Sequence, residues 1–261
     1  METTAGHKAL IAVCGKGGSG KTALVGLLTK YVLQNEKKRL LVIDADPTMN
    51  LSPVLGITPE KTINDIRENI ISRARTAGRT EKEDLARSLD YMLFEALIEA
   101  DRFSLLVMGR PESLGCYCPV NDFLRSGIET LAANYDIIII DGEAGVEQIN
   151  RQVMRRVDTP VIVSDMSNRG LQTAALIRSV IASHQKAFSY KRMGLVLNRV
   201  RGEEDAIKPY VEKTGLDLFG CIPEDGFVTR FDLEARPLLE LPDDSPAFRA
   251  ASDIWIRINE D

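Results

Sequence analysis

The chain has 261 residues, 44% hydrophobic and 27% charged, which supplies a sizeable core and excludes the disordered and fibrous classes. Its 33 Lys and Arg stand against 38 Asp and Glu for a net charge of -5, so no global charge draws it to nucleic acid or to an anionic membrane. The opening "METTAGHKALIAVCGKGG" has no basic-then-apolar leader pattern and no apolar run reaches membrane-spanning length; the expectation is a cytoplasmic protein whose four cysteines are reduced.

Short β-branched runs alternate with helical patterns, which predicts an α/β fold with a mainly parallel central sheet covered by helices on both faces. The first strand, Ala9 to Cys14, leads directly into "GKGGSGKT", Gly15 to Thr22, and then into the helical "TALVGLLTKYVLQ". A G-x-x-x-x-G-K-[ST] pattern between strand and helix predicts a phosphate-binding P-loop. Gly15, Gly17, Gly18, Ser19 and Gly20 would turn backbone N–H groups toward an anion, and the helix N-terminus would add its positive dipole end. Lys21 is expected on the β- and γ-phosphates of ATP (or the ADP product), and the Thr22 hydroxyl on Mg2+.

The second strand, Arg39 to Asp44, ends in "VIDADPTMN", where Asp44 or Asp46 is expected to orient an attacking water. From Thr58 to Asp101 the spacing turns helical, with Ile63, Ile66 and Ile70 on one stripe and Leu85, Leu89, Met92, Leu93 and Leu97 on another. This reads as a helical insertion divided by a charged loop, Arg73 to Asp84. Strands follow at Phe103 to Met108 and Tyr135 to Asp141. Asp141, after four isoleucines, is the expected carboxylate ligand of Mg2+, and "GEAGVEQ" with Gly142 and Gly145 reads as a loop that moves with the γ-phosphate. Further strands are expected at Thr159 to Ser164, Met193 to Val200 and Leu216 to Pro223, the whole chain, 1–261, forming one domain.

Two features remain. At the end of the Met193 to Val200 strand, Asn198 offers an amide donor and acceptor suited to an adenine edge, and Arg199 reads either as a base-stacking group or as a surface cation. In "SLGCYCPVND", Cys116 and Cys118 stand one residue apart. A disulfide at that spacing is strained, so a shared metal is favoured, yet the pair supplies two thiolates where a closed site takes four. Cys14 and Cys221 sit in apolar strand patterns and read as packing residues.

Lys16, directly after the first glycine of the loop, together with "DADPTMN" and "DGEAGVE", makes the chain resemble the deviant Walker A ATPases, the class of MinD, ParA, the nitrogenase iron protein and the tail-anchored-protein targeting ATPase. The resemblance implies an ATPase that works as a homodimer: Lys16 reaches the phosphates held by the partner, Asp46 activates water and joins Thr22 and Asp141 at the Mg2+, and Asn198 contacts the base. Within the class, the Cys-x-Cys pair with "DGEAGVE" is most similar to the CooC-type accessory ATPases of nickel enzymes. That likeness implies Ni2+ or Zn2+ held at the dimer interface by Cys116 and Cys118 of both protomers. It also implies a client nickel enzyme, carbon monoxide dehydrogenase or acetyl-CoA synthase, and no nucleic-acid or membrane partner. Two alternatives stay open. One is an iron–sulfur carrier or ATP-driven reductase, since four thiolates also hold a cluster. The other is a positioning ATPase, whose membrane form calls for a basic amphipathic C-terminal helix, whereas "AFRAASDIWIRINED" finishes acidic.

Overall fold

The computed structural model describes residues 9–76, 88–110, 118–143, 153–154, 156–183, 190–202 and 207–260. Along the chain run β1 (Ala9–Gly15), α1 (Lys21–Asn35), β2 (Leu40–Asp44), α2 (Leu51–Val54), α3 (Ile63–Thr76), α4 (Leu89–Ala96), β3 (Leu97–Glu99), β4 (Phe103–Val107) and α5 (Cys118–Ala132). Then come β5 (Ile137–Asp141), β6 (Thr159–Ser164), α6 (Asn168–Ser183), β7 (Gly194–Val200), α7 (Lys208–Glu212), β8 (Asp217–Pro223), α8 (Gly226–Leu233) and α9 (Pro246–Asn259). The strands form one eight-stranded sheet in the order β3-β4-β2-β5-β1-β6-β7-β8. Every neighbouring pair is parallel except β3 with β4.

The isoleucine run of β5 shows why the sheet is central. A strand sends successive side chains to opposite faces, so Ile137 and Ile139 enter a core with α1 and α9, while Ile138 and Ile140 enter a second core with α3, α4, α5 and α6. Leu40 and Val42 of β2 divide from Leu41 and Ile43 in the same way. A strand buried on both faces has no polar side to show, hence its unbroken apolar sequence. On the α1 side, α9 starts at a Ser245 cap that accepts from Phe248 N, with Pro246 in the first turn. It buries Ala247, Phe248, Ala251, Ile254, Trp255 and Ile258, and its Trp255 ring lies 6.1 Å from that of Tyr31 on α1.

The seven strands read from the sequence are present, with ends shifted by no more than two residues. Two expectations need correction. Leu97 does not continue the helical stripe: α4 stops at Ala96 and Leu97 opens β3, because its backbone pairs antiparallel with Leu106 across a tight turn in which Ala100 N donates to Phe103 O (2.9 Å). The charged stretch from Arg73 is not loop from its first residue, since α3 runs on to Thr76. The remainder of that stretch, with Leu85 after it, and Gly145 lie outside the described residues.

Parallel pairing carries the C-terminal ends of β1, β2, β5 and β6 to one edge. Asp44 stands in register with Asp141, Val13 with Asp141, and Gly15 with Val163. In open α/β sheets, loops at this edge form the ligand crevice.

Candidate functional site

The loop from Gly15 to Thr22 is built on backbone conformations that side chains resist. Gly15, Gly18 and Gly20 have φ of 146°, 77° and 96°, a region that glycine enters without steric cost. Gly15 also passes so close to β6 that a Cβ there would stand 2.2 Å from Val163 O. The loop closes on itself through Ser19 N donating to Lys16 O (3.2 Å), and the ammonium of the buried Lys21 points back to the same carbonyl at 3.5 Å. Gly20 precedes α1 without any side-chain cap, which leaves the first helical N–H groups for an anion. Lys16 and its neighbours Gly17 and Gly18 are exposed.

Asp141 and Asp44 are fully buried at the mouth of this loop. Among the described residues neither oxygen of Asp141 has a hydrogen-bond partner of proper geometry. Burial, and then the Asp44 and Asp46 carboxylates, raise its pKa to about 7; the nearby Thr22 hydroxyl and Lys21 ammonium oppose that rise without overcoming it. Asp44 is raised to about 6, again first by burial, against the N–H bonds it accepts. Its two oxygens accept from Asp46 N and Leu51 N, each at 3.1 Å, so this carboxylate ties the start of the "DADPTMN" turn to its end. Inside the turn, Asp46 Oδ1 accepts from Thr48 N (2.9 Å) and Thr48 Oγ1 (2.6 Å), and Met49 has φ 54°. A non-glycine residue in that region stores strain of the kind found in switch segments. The orphaned oxygens of Asp141, a hydroxyl beside them and an anion cradle alongside suit a hard divalent cation: Thr22 and Asp141 would hold Mg2+.

Asn198 buttresses the loop. Its Nδ2 donates to Ser19 O at 2.8 Å and its Oδ1 accepts from Arg199 N at 2.9 Å. The side chain is packed so tightly that a Cβ on Gly20 would fall 1.9 Å from Nδ2. Arg199, with φ 55°, reaches Gly18 O at 3.5 Å. Sequence reasoning missed one group here: Asp165, directly after β6. Its Oδ1 accepts from Ser167 N (3.0 Å) and from the Ser167 hydroxyl, which holds the carboxyl below the usual range, with the Lys16 and Arg199 charges adding to the effect. The available signal was positional, an aspartate ending the strand beside β1 much as Asp141 ends β5.

The Cys-x-Cys pair is described only in part. Cys116 lies outside the described residues, and of Cys118 the backbone alone is described, as the first residue of α5. Among the described residues no group of three or more His, Cys, Asp or Glu is arranged for a metal ion.

A family model for the CobQ/CobB/MinD/ParA nucleotide binding domain matches residues 10–238. An uncharacterized ATP-binding protein of Methanocaldococcus jannaschii is 39% identical over 253 residues, 95% of this chain and 98% of that protein. The carbon monoxide dehydrogenase accessory protein CooC of Rhodospirillum rubrum is 30% identical over 249 residues, 92% of this chain and 91% of CooC. Among solved structures, MinD of Pyrococcus horikoshii complexed with Mg-ADP superposes with a TM-score of 0.69 at 22% identity, covering 97% of this chain and 96% of that one.

Proposed function

The chain belongs to the CobQ/CobB/MinD/ParA nucleotide-binding family of ATPases, and from that premise we propose that it is a maturation ATPase that loads a nickel enzyme. In this reading two protomers close around ATP and gather Ni2+ or Zn2+ between their Cys116 and Cys118 pairs. Hydrolysis then releases the metal toward carbon monoxide dehydrogenase or acetyl-CoA synthase. The observation that supports it is where the chain leading toward the Cys-x-Cys sequence leaves the sheet. Met108 N donates to Asp44 O at 2.8 Å, so the chain leaves β4, some eight residues before Cys116, beside the end of β2 that carries Asp44. The likeness to CooC over most of both chains supports the same reading.

Each residue then has a task. Lys21 holds the β- and γ-phosphates in its own protomer, and the exposed Lys16 meets the partner's. Asp46 accepts a hydrogen bond from the water that attacks the γ-phosphorus; the bond to the β-bridging oxygen breaks and ADP leaves with that electron pair. Mg2+, when bound at Thr22 and Asp141, supplies charge neutralisation on the phosphates. Asn198 fixes the loop against β7 and Arg199 flanks it, near the expected base position. Four thiolates from two protomers satisfy Zn2+ tetrahedrally or Ni2+ in a square plane.

The test is anaerobic purification with metal analysis and sizing, with and without ATP. Wild-type protein is expected to dimerise with ATP and carry Ni2+ or Zn2+. Cys116→Ser/Cys118→Ser is expected to bind ATP normally, lose the metal, and leave the apo-enzyme client inactive. Full metal content in that variant overturns the assignment, and a brown protein with broad visible absorption replaces it with the iron–sulfur reading. A positioning ATPase of the MinD or ParA kind shares the fold, but here the apolar stripe of α9 is packed against α1 and β8 instead of lying open for a membrane.

A further inference from the structure

Helix α4 meets the core with one face only. Leu89, Met92, Leu93 and Ala96 are buried in the core shared with α3 and α5, so closely that a Cβ on Gly127 of α5 would stand 2.5 Å from Leu93 Cδ1 and 2.8 Å from Leu89 Cδ2. That stripe is the apolar face an amphipathic helix needs. Tyr91 and Phe94 point the other way and are 68% and 58% exposed. Single apolar side chains at a surface are ordinary, but two aromatic rings three positions apart on a helix are neighbours and make a patch.

Tyr91 is also held in place. Lys61, just ahead of α3, donates to Glu95 Oε2 on α4. This ammonium first, and the Tyr91 side chain after it, keep the Glu95 carboxyl below its usual range. A ring tethered through its hydroxyl has less freedom left to lose when a partner covers it.

The surroundings of the two rings are acidic. From Leu89 to Asp101 the chain carries Asp90, Glu95, Glu99 and Asp101 and no Lys or Arg. All four acids are exposed. Glu99 leaves β3 on the same side as Leu97, which belongs to the core that α4 shares. The nearest cations are engaged elsewhere: Lys61 is on Glu95, and Arg102 donates to Glu36 O, beyond the end of α1, at 3.5 Å.

We infer that the outer face of α4 is a docking surface for a second protein, one that covers Tyr91 and Phe94 with an apolar segment bearing Arg or Lys. The cations of that segment meet Asp90, Glu99 and Asp101 and lie against the rings, where a guanidinium gains from the aromatic face. Charge disfavours the other occupants. Four carboxylates repel the phosphates of nucleic acid and of anionic lipids. A second copy pairing through this same face about a two-fold axis would set the acids against themselves. The surface is built from α4, β3 and the turn after it, and needs nothing of the cysteines.

The test places a photo-reactive residue on the patch. Full-length chains with Tyr91→p-benzoylphenylalanine or Phe94→p-benzoylphenylalanine, and with Tyr210→p-benzoylphenylalanine as a control at another exposed aromatic (55%), are irradiated in the protein's native cells, and cross-linked peptides are sequenced by mass spectrometry. Positions 91 and 94, and not 210, should capture one and the same protein through a segment containing Arg or Lys. That protein is then purified and titrated against wild type and two variants. Tyr91→Ala/Phe94→Ala should weaken its binding at least roughly tenfold, as loss of aromatic anchors does. Glu99→Lys/Asp101→Lys should slow association and flatten its dependence on salt. Both variants should keep the ATP affinity and melting temperature of wild type. Cross-links to lipid, nucleic acid, a second copy of this chain or a segment without cations overturn the inference. So does capture no stronger than at position 210, or a captured protein that binds the alanine variant as it binds wild type.

Discussion

Burial sets the chemistry of Asp141 before any ligand is considered. Its carboxyl is raised from 3.8 to about 7, so between those values the folded state keeps a proton that the unfolded chain has lost. Stability of the nucleotide-free protein therefore falls as pH rises through that window, and the penalty is fully present above it. Asp141→Asn removes the charge and should raise the melting temperature at about pH 8, by the equivalent of on the order of 2 kcal/mol, with the gain vanishing near pH 4. The same variant should lose the extra stabilisation that wild-type protein gains from Mg2+ with ATP, since a cation no longer has a carboxylate to meet. A lower melting temperature for the variant at pH 8 would show that the charge is not the burden described. At this scale the sequence was informative where a residue ends a strand: Asp44 and Asp141 were legible because parallel register brings strand ends together. The buried Asn64 and Arg67 of α3 were not, because a polar residue in the first turns of a helix looks like any solvated one until its distant partners, here Arg110 O and Asn121 Oδ1, are seen.

Among elements, the join between the phosphate loop and α1 rests on one conformation. Gly20, at φ 96°, lies against the Asn198 amide that holds Ser19. Gly20→Ala imposes backbone strain of about 1–2 kcal/mol and also pushes Asn198 off the Ser19 carbonyl. ATP affinity should fall roughly 5- to 30-fold, the factor to which that strain corresponds, with little change in the far sheet; isothermal titration and circular dichroism check both halves. An alanine variant that binds ATP like wild type would mean the loop tolerates another path. The P-loop was readable because its glycines, lysine and threonine have fixed spacing. The short β3 was not. Leu97 fits the helical stripe of Leu89 and Leu93 by spacing alone, and only the antiparallel partner Leu106, a tertiary fact, decides against helix.

At the scale of the whole molecule, the proposed function assigns the two loop lysines to different protomers, Lys21 to its own site and Lys16 to a partner's. Lys21 is buried with its ammonium turned into the loop, whereas Lys16 is exposed at the sheet edge. Lys21→Ala should abolish detectable ATP binding. Lys16→Ala should bind ATP nearly as wild type yet fail to hydrolyse it or to dimerise with it, as followed by fluorescence titration, phosphate release and sizing. Equal loss of binding in both variants would place Lys16 wholly within its own site.

The sides of the sheet constrain how a second copy could add to it. At one border of the sheet β3 offers only three residues, running antiparallel and ending in the exposed Glu99. At the other, β8 pairs with β7 through register shifts and finishes at Pro223. Short, charged, bulged or proline-ended borders are how soluble sheets resist adding foreign strands. Neither flank gives a second molecule a straight ladder to extend, so self-association by strand addition, the route to open-ended aggregates, is discouraged on both sides. The dimer of the proposed function, closed across the loop edge, leaves both of these borders unextended.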